Sequence, residues 1–335
     1  MNQSCNALSS KAKCMYGNAL KKHDYEELIK KHELSEIIHY LKEETCYKDI
    51  LKDVRESQIH RGQLEQLLLK DYYIRMKKLL RYQDMKCKKF FALFIVNQEI
   101  ELILHHIALM IAIQEDTLKD VPIFYDDIIS FDLMKLASSK TMKEVITCLN
   151  KTSYYPILKK YEQNIDYVLL EIEMMRYYHQ YCIDVIEKEL KGSIKNELMM
   201  IEKIKSEFLD LSLIYRCRFH FDMDANKIKQ YLMNQNAYFK ASQIEYLLTC
   251  DQTSFKTFLK ESKYRLQFNS GELEHVCNKY LYEKALHLLN FSNNPYCIYS
   301  AYELIAKKEL DNLIHIIEGV HYELNDDELR SMIVY

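Results

Sequence analysis

Five glycines and three prolines in 335 residues leave little material for hairpins and sheet turns, so composition points to an all-α chain. Apolar residues make up 48% and charged residues 28%, the balance of a packed protein rather than a disordered one. The net charge of −3 argues against nucleic acid as the main partner, and the glycines, at 17, 62, 192, 271 and 319, are too scattered for a glycine-rich phosphate loop or a Gly-x-Ser-x-Gly elbow.

In chain order, Asp24 to Ile29 and Glu36 to Leu41 read as two short helices, the first with an acidic opening turn and the second capped by Ser35. Gln63 to Arg81 keeps a helical apolar period through Leu64, Leu67, Leu68, Met76 and Leu80. Phe90 to Ala112 follows as a long, mostly buried helix. It is interrupted by Gln98, Glu99, Glu101, His105 and His106, so no uncharged run of about 18 apolar residues is left to span a bilayer.

Pro122 marks a break. A capped short helix is expected over Thr141 to Asn150, and Pro156 suits a first helical turn. Ile157 to Leu190, free of Gly and Pro, reads as one long amphipathic helix with Gly192 just past its end. Ser193 to about Phe221 forms the next. Asp222 to Asn226 is a turn and cap before Lys227 to Leu232, and Tyr246 to Glu261 is a further helix. Asn269-Ser270-Gly271 breaks the pattern, and Leu273 to Leu289 resumes it. Pro295 to Ile317 is the last long helix, ended by Gly319, and Asn325 caps a short terminal one.

Two patterns recur in one register. Ser35 to Lys42 with Tyr47, Met142 to Leu149 with Tyr154, and Thr253 to Lys260 with Tyr264 read alike; Leu41, Leu149 and Leu259 stand 108 and 110 residues apart. A second element begins at Glu99, Glu207 and Glu309, at intervals of 108 and 102. Two elements in one phase argue for a helical module used three times, with boundaries near 1–115, 116–221 and 222–335. Three copies of the glutamate helix around an axis would line a rim or lumen with carboxylates; alternatively each glutamate caps or solvates its own helix.

Catalytic constellations are sparse. His32 and His39 lie seven residues apart, not the four of a metalloprotease helix. His105 and His106 point to different helix faces, and a satisfied core or interface histidine is the better reading. His179 and His220 lack a second ligand cluster. The ten cysteines form no Cys-x-x-Cys, and most read as small buried apolar residues in a reducing compartment; the first residues lack the pattern of a secretory signal. No cofactor, metal or catalytic residue is expected.

The termini resemble a known family. Tyr302 to Gly319, through Glu309, Asp311, Asn312 and Leu313, followed by Asn325 to Arg330, is similar to the ending of the C subunit of V-type/A-type ATPases, the counterpart of the eukaryotic d subunit. Asn6-Ala7-Leu8 and the Leu41-to-Leu51 stretch with Thr45 and Tyr47 are similar to its opening. The family's Asp-x-x-Asn-Leu helix is poorly kept: only the third module retains its Asn-Leu end, in Asp311-Asn312-Leu313, and Glu99 to Ala108 has neither Asn nor Arg.

The resemblance implies an all-α protein of three similar domains in a pseudo-threefold, funnel-like arrangement. It implies a non-catalytic central-stalk component, peripheral on the cytoplasmic face of the membrane, coupling the axle subunits to the rotor ring, with neither small-molecule substrate nor nucleic acid. Glu207, Asp210, Arg216, Glu309, Asp311 and Asn312 are the interface candidates. A helical scaffold or peptide-binding regulator is the alternative; a missing 34-residue period counts against it.

Overall fold

A computed structural model describes residues 3–56, 58–112, 122–269 and 272–335, and they contain helices and no strand. The first helices are α1 (Gln3–Gly17), α2 (Lys22–Ile29), α3 (Leu34–Glu44), α4 (Lys48–Leu51) and α5 (Arg61–Leu80). The middle of the chain supplies α6 (Lys88–Phe91), α7 (Leu93–Ile111), α8 (Leu133–Ser138), α9 (Met142–Cys148), α10 (Tyr155–Leu158), α11 (Tyr167–Glu189), α12 (Gly192–Phe219), α13 (Ala225–Lys229) and α14 (Ala241–Thr249). The remainder forms α15 (Gln252–Glu261), α16 (Leu273–Phe291), α17 (Pro295–His321) and α18 (Asp326–Met332). The 115/116 boundary and the Ser270-Gly271 break lie outside the described residues.

The chain divides into two compact units. One joins both chain ends, residues 1–85 with 253–335; the other is the middle, 86–252. In the first unit α17 is the central element and α1, α5 and α16 pack on it. Ile298, Tyr302, Ala306, Leu310, Leu313 and Ile317, spaced three or four apart, are buried. Asn294 caps the helix through Tyr296 N–H (2.9 Å), and Pro295 occupies the first turn, where its missing N–H costs nothing.

In the second unit Ile100, Ile103, Leu104 and Ile107 of α7 meet Leu133, Val145, Leu149, Leu158 and Leu170 in one core. The stretch Met85–Ile111 is long and apolar enough by composition to cross a membrane, with a mean hydropathy of 1.3. Four of its apolar side chains, Ile100, Ile103, Leu104 and Ile107, belong to this core, and 44% of the most apolar window is buried.

Several boundaries differ from expectation for identifiable reasons. Ser35 lies inside α3, because the Glu36 carboxylate reaches back to the N–H groups of His32 (3.0 Å) and Glu33 (3.2 Å) and sets the cap two residues earlier, at Glu33. The expected helix from Ile157 to Leu190 breaks into α10, a 3-10 turn and α11. Asp166 caps the restart by accepting Leu169 N–H (3.1 Å). Tyr246 to Glu261 likewise breaks between α14 and α15. Gly192, at φ +65°, takes the left-handed conformation that glycine tolerates.

Gly319 does not end α17; it is buried inside it. A Cβ there would overlap Leu329 Cδ2 and stand 3.1 Å from its Cγ, so the missing side chain is what lets α18 approach α17. Gly319→Ala is expected to destabilise by about 1–3 kcal/mol through overpacking, outweighing a helix-propensity gain of about 1 kcal/mol. Urea unfolding of the variant reads this directly, and a net gain in stability would contradict it.

Candidate functional site

The repeated sequence elements meet as polar clamps buried in the helical core. Each Tyr-bearing copy ends in the same turn. Thr45 donates its hydroxyl to Leu41 O (2.5 Å) and accepts Tyr47 N–H (3.2 Å). Thr152 does so with Leu149 O (2.7 Å) and Tyr154 N–H (3.3 Å), and Ser262 with Leu259 O (2.7 Å) and Tyr264 N–H (3.2 Å). A short hydroxyl side chain is needed because it must satisfy a helix-end carbonyl and a turn N–H at once. The result is a tyrosine driven into the interior: Tyr47, Tyr154 and Tyr264 are all buried.

Two of the glutamates receive a tyrosine that these turns present, and all three take a backbone N–H. Glu309 accepts the Tyr47 hydroxyl (2.8 Å) at one oxygen and Leu20 N–H (2.8 Å) at the other. Glu99 accepts the Tyr154 hydroxyl and Ser130 N–H. Glu207 accepts Phe239 N–H (2.8 Å) and Tyr238 N–H (3.2 Å). The caught N–H groups of Leu20, Ser130 and Phe239 each lie two or three residues before a short helix, α2, α8 and α14. A third periodic feature thus joins the two visible in sequence.

Neither sequence-based alternative for these glutamates holds. Glu99, Glu207 and Glu309 are 4%, 0% and 3% exposed, so they neither line a rim of this chain nor solvate a helix face. Each sits at a position of the apolar stripe and ties it to a segment remote in sequence, 289 residues away for Leu20 and Glu309. A buried carboxylate survives only when charge-assisted hydrogen bonds replace its water, and the clamps supply these.

The clamp on Glu309 carries more charge. Arg75 donates Nη1 to Glu309 (2.8 Å) and Nη2 to the Tyr47 hydroxyl (3.1 Å), and its Nε faces Asp71 (2.8 Å). Burial, outweighing Arg75, pushes the Asp71 carboxyl up, and burial raises the Tyr47 hydroxyl well above its ordinary range. Tyr47 therefore stays protonated and remains a donor.

Of the six interface candidates, four are buried and bonded within their own unit. Besides Glu207 and Glu309, Asp210 accepts Met233 N–H (2.7 Å) and Asn234 N–H (3.1 Å). Asn312 exchanges two hydrogen bonds with the backbone of Val334, at 2.8 and 3.0 Å, and so fixes the last residues of the chain. Arg216 is exposed, and Asp311 is half-buried beside Lys308 (3.2 Å) and Lys307 (3.6 Å). Sequence reasoning missed Tyr47, Tyr154 and Arg75 as members of these networks. Tyr47 and Tyr154 were visible as the fixed end of each repeat, whereas Arg75 gave no local signal.

The remaining titratable groups have structural partners. His106, buried, places Nε2 at 3.0 Å from Ser139 O, as a satisfied core histidine would, and burial lowers its pKa. His179 meets Glu202 in the interior at 2.5 Å. Arg218 donates to Cys250 O and Leu247 O and finishes the end of α14. Among the described residues no group of three His, Cys, Asp or Glu is placed to hold a metal, and the nine described cysteines are free thiols.

In comparison with known proteins, a family model described as "ATP synthase (C/AC39) subunit" matches residues 8–332, which takes in all three clamps. No curated protein matches the chain.

Proposed function

The chain belongs to the ATP synthase (C/AC39) subunit family, and from that premise we propose that it is the non-catalytic central-stalk component of a V-type/A-type ATPase. In this reading it couples the axle subunits to the membrane rotor ring, from a peripheral position on the cytoplasmic face. The observation that carries the reading is the extent of the family match, which leaves only seven residues at the start and three at the end outside it.

The physics of the clamps agrees with the task. A part that transmits torque must resist deformation, and helices joined by mobile loops would absorb the work. Here Leu20, Ser130 and Phe239, at the entries to three short helices, are fixed by buried carboxylates. Local opening at such points must break charge-assisted hydrogen bonds out of reach of water. The three copies also support an organisation in three similar modules.

The interface proposal narrows to Arg216 and Asp311, the two candidates that reach solvent. Glu207, Asp210, Glu309 and Asn312 support the surface from beneath by holding loops and the chain end.

The test is affinity capture of the tagged full-length chain from gently solubilised membranes of its own source, with partners identified by mass spectrometry. Axle and ring subunits are expected in near-stoichiometric amounts, and Arg216→Glu with Asp311→Arg should weaken their recovery without lowering the melting temperature. Recovery of unrelated soluble proteins alone would overturn the coupling role.

A further inference from the structure

Between α13 and α14 the chain runs through residues 230–240 without regular structure, yet its backbone is tied at six points. Arg176 on α11 donates Nη2 to Gln230 O (2.9 Å) and Leu232 O (3.1 Å). Asp210 on α12 takes the N–H groups of Met233 and Asn234, one on each oxygen. Glu207, one turn earlier on the same helix, takes those of Tyr238 and Phe239. Asn234, held at φ +59°, is in the left-handed region and itself exposed.

The charge arrangement around Asp210 is lopsided. Its carboxylate is 1% exposed and one helical turn from Glu207, a second buried carboxylate. The cation facing it is Arg176 from α11, whose Nη2 is committed to the loop carbonyls. From the loop it receives only the two neutral N–H groups. An ionised Asp210 is therefore worse off in the closed loop than it would be in water, where opening would place it.

We propose that Asp210 makes the 230–240 segment a pH-graded latch, held shut while Asp210 carries a proton and opened more readily once it is ionised. A protonated carboxyl keeps its carbonyl oxygen as a full acceptor for one loop N–H and its hydroxyl oxygen as a weaker one for the other, and it no longer repels Glu207. The direction follows from linkage. Burial, against the two N–H groups and Arg176 and with help from Glu207, pushes Asp210 up to about 6 from an ordinary 3.8. Closing thus takes up a proton between these values. The stabilisation of the closed state is complete below the lower value and is lost as pH rises through the higher. The latch depends only on contacts within residues 86–252 and stands apart from the family reading.

The experiment is amide hydrogen exchange by NMR on the full chain, read as protection factors so that intrinsic base catalysis cancels. Protection of Met233 and Asn234 is expected to fall by on the order of 100-fold between about pH 4 and pH 8, relative to the slowest core amides of the same unit. In Asp210→Asn the pH dependence should vanish. The Asp210 carboxyl carbon, followed in the wild-type chain, should titrate near 6 whether or not the variant folds well. Flat wild-type protection across that range, or a carboxyl that titrates near 4, would overturn the latch.

Discussion

Replacing Glu309 by alanine is expected to lower the stability of the unit formed by residues 1–85 and 253–335 by about 3–5 kcal/mol. Three buried donors lose their acceptor at once: the Leu20 N–H, the Tyr47 hydroxyl and the Arg75 guanidinium. The cation dominates, because an unpaired buried charge costs far more than a neutral donor. Asp71 softens the loss, since it stays at 2.8 Å from Arg75 Nε. Glu309→Gln keeps the volume and one acceptor oxygen but turns an amide group toward the donors, so a smaller loss of about 2–3 kcal/mol is expected. Removing the charges together, Glu309→Leu with Arg75→Met and Asp71→Asn so that Asp71 is not left without its cation, should recover part of the loss, as apolar replacement of buried ion pairs often does. Denaturant midpoints at an unchanged slope give these values. A loss below about 1 kcal/mol for Glu309→Ala would show that water enters and replaces the carboxylate, and the clamp would then not be the stiff joint argued for above.

Much of the helical content could be read from the sequence because it depends on local facts. Pro156 and Pro295 fall in first turns, Asn325 caps α18, and Gly192 supplies a left-handed residue where α12 begins. The errors came where one residue type has two physical uses. Gly319 looks like a helix stop, but its value here is the absence of a side chain facing Leu329. Ser35 suits a helix start, but the back-reaching Glu36 sets the cap two residues earlier, at Glu33.

The clamps were half legible. Repetition revealed the phase of the tyrosine turns and of the glutamate helices, but phase alone does not say which copy meets which. Tyr47 bonds Glu309 across 262 residues, whereas Tyr154 bonds Glu99 across 55. One signal was available. Glu309 stands four residues from both Ile305 and Leu313, on the buried stripe of α17, so helical period alone placed it inside. A charged residue in the middle of an apolar stripe announces a remote partner. The partner's identity, such as Arg75 on another helix, belongs to tertiary structure.

Acid should reveal a second buried pair of opposite character to Asp210. Glu202 on α12 meets His179 of α11 at 2.5 Å and Lys205 at 3.4 Å. Burial pushes its carboxyl up, but Lys205 and His179 together overcome this and hold it down at about 2, below an ordinary 4.5. A carboxylate with a depressed pKa contributes stability that is complete above the ordinary value and is lost as pH falls through the depressed one. On the order of 3 kcal/mol is therefore at stake between about pH 5 and pH 2. Glu202→Gln should weaken the 86–252 unit at neutral pH and flatten its acid-side slope, so the variant and wild-type curves converge toward about pH 2. Asp210→Asn should change the slope on the other side, near pH 6, with the opposite sign, because there the folded state takes up the proton. Stability curves for the two variants, measured over the same pH range by denaturant unfolding, separate the contributions. Parallel curves for Glu202→Gln and wild type down to about pH 2 would mean that the His179–Glu202 contact orders the interior without stabilising it.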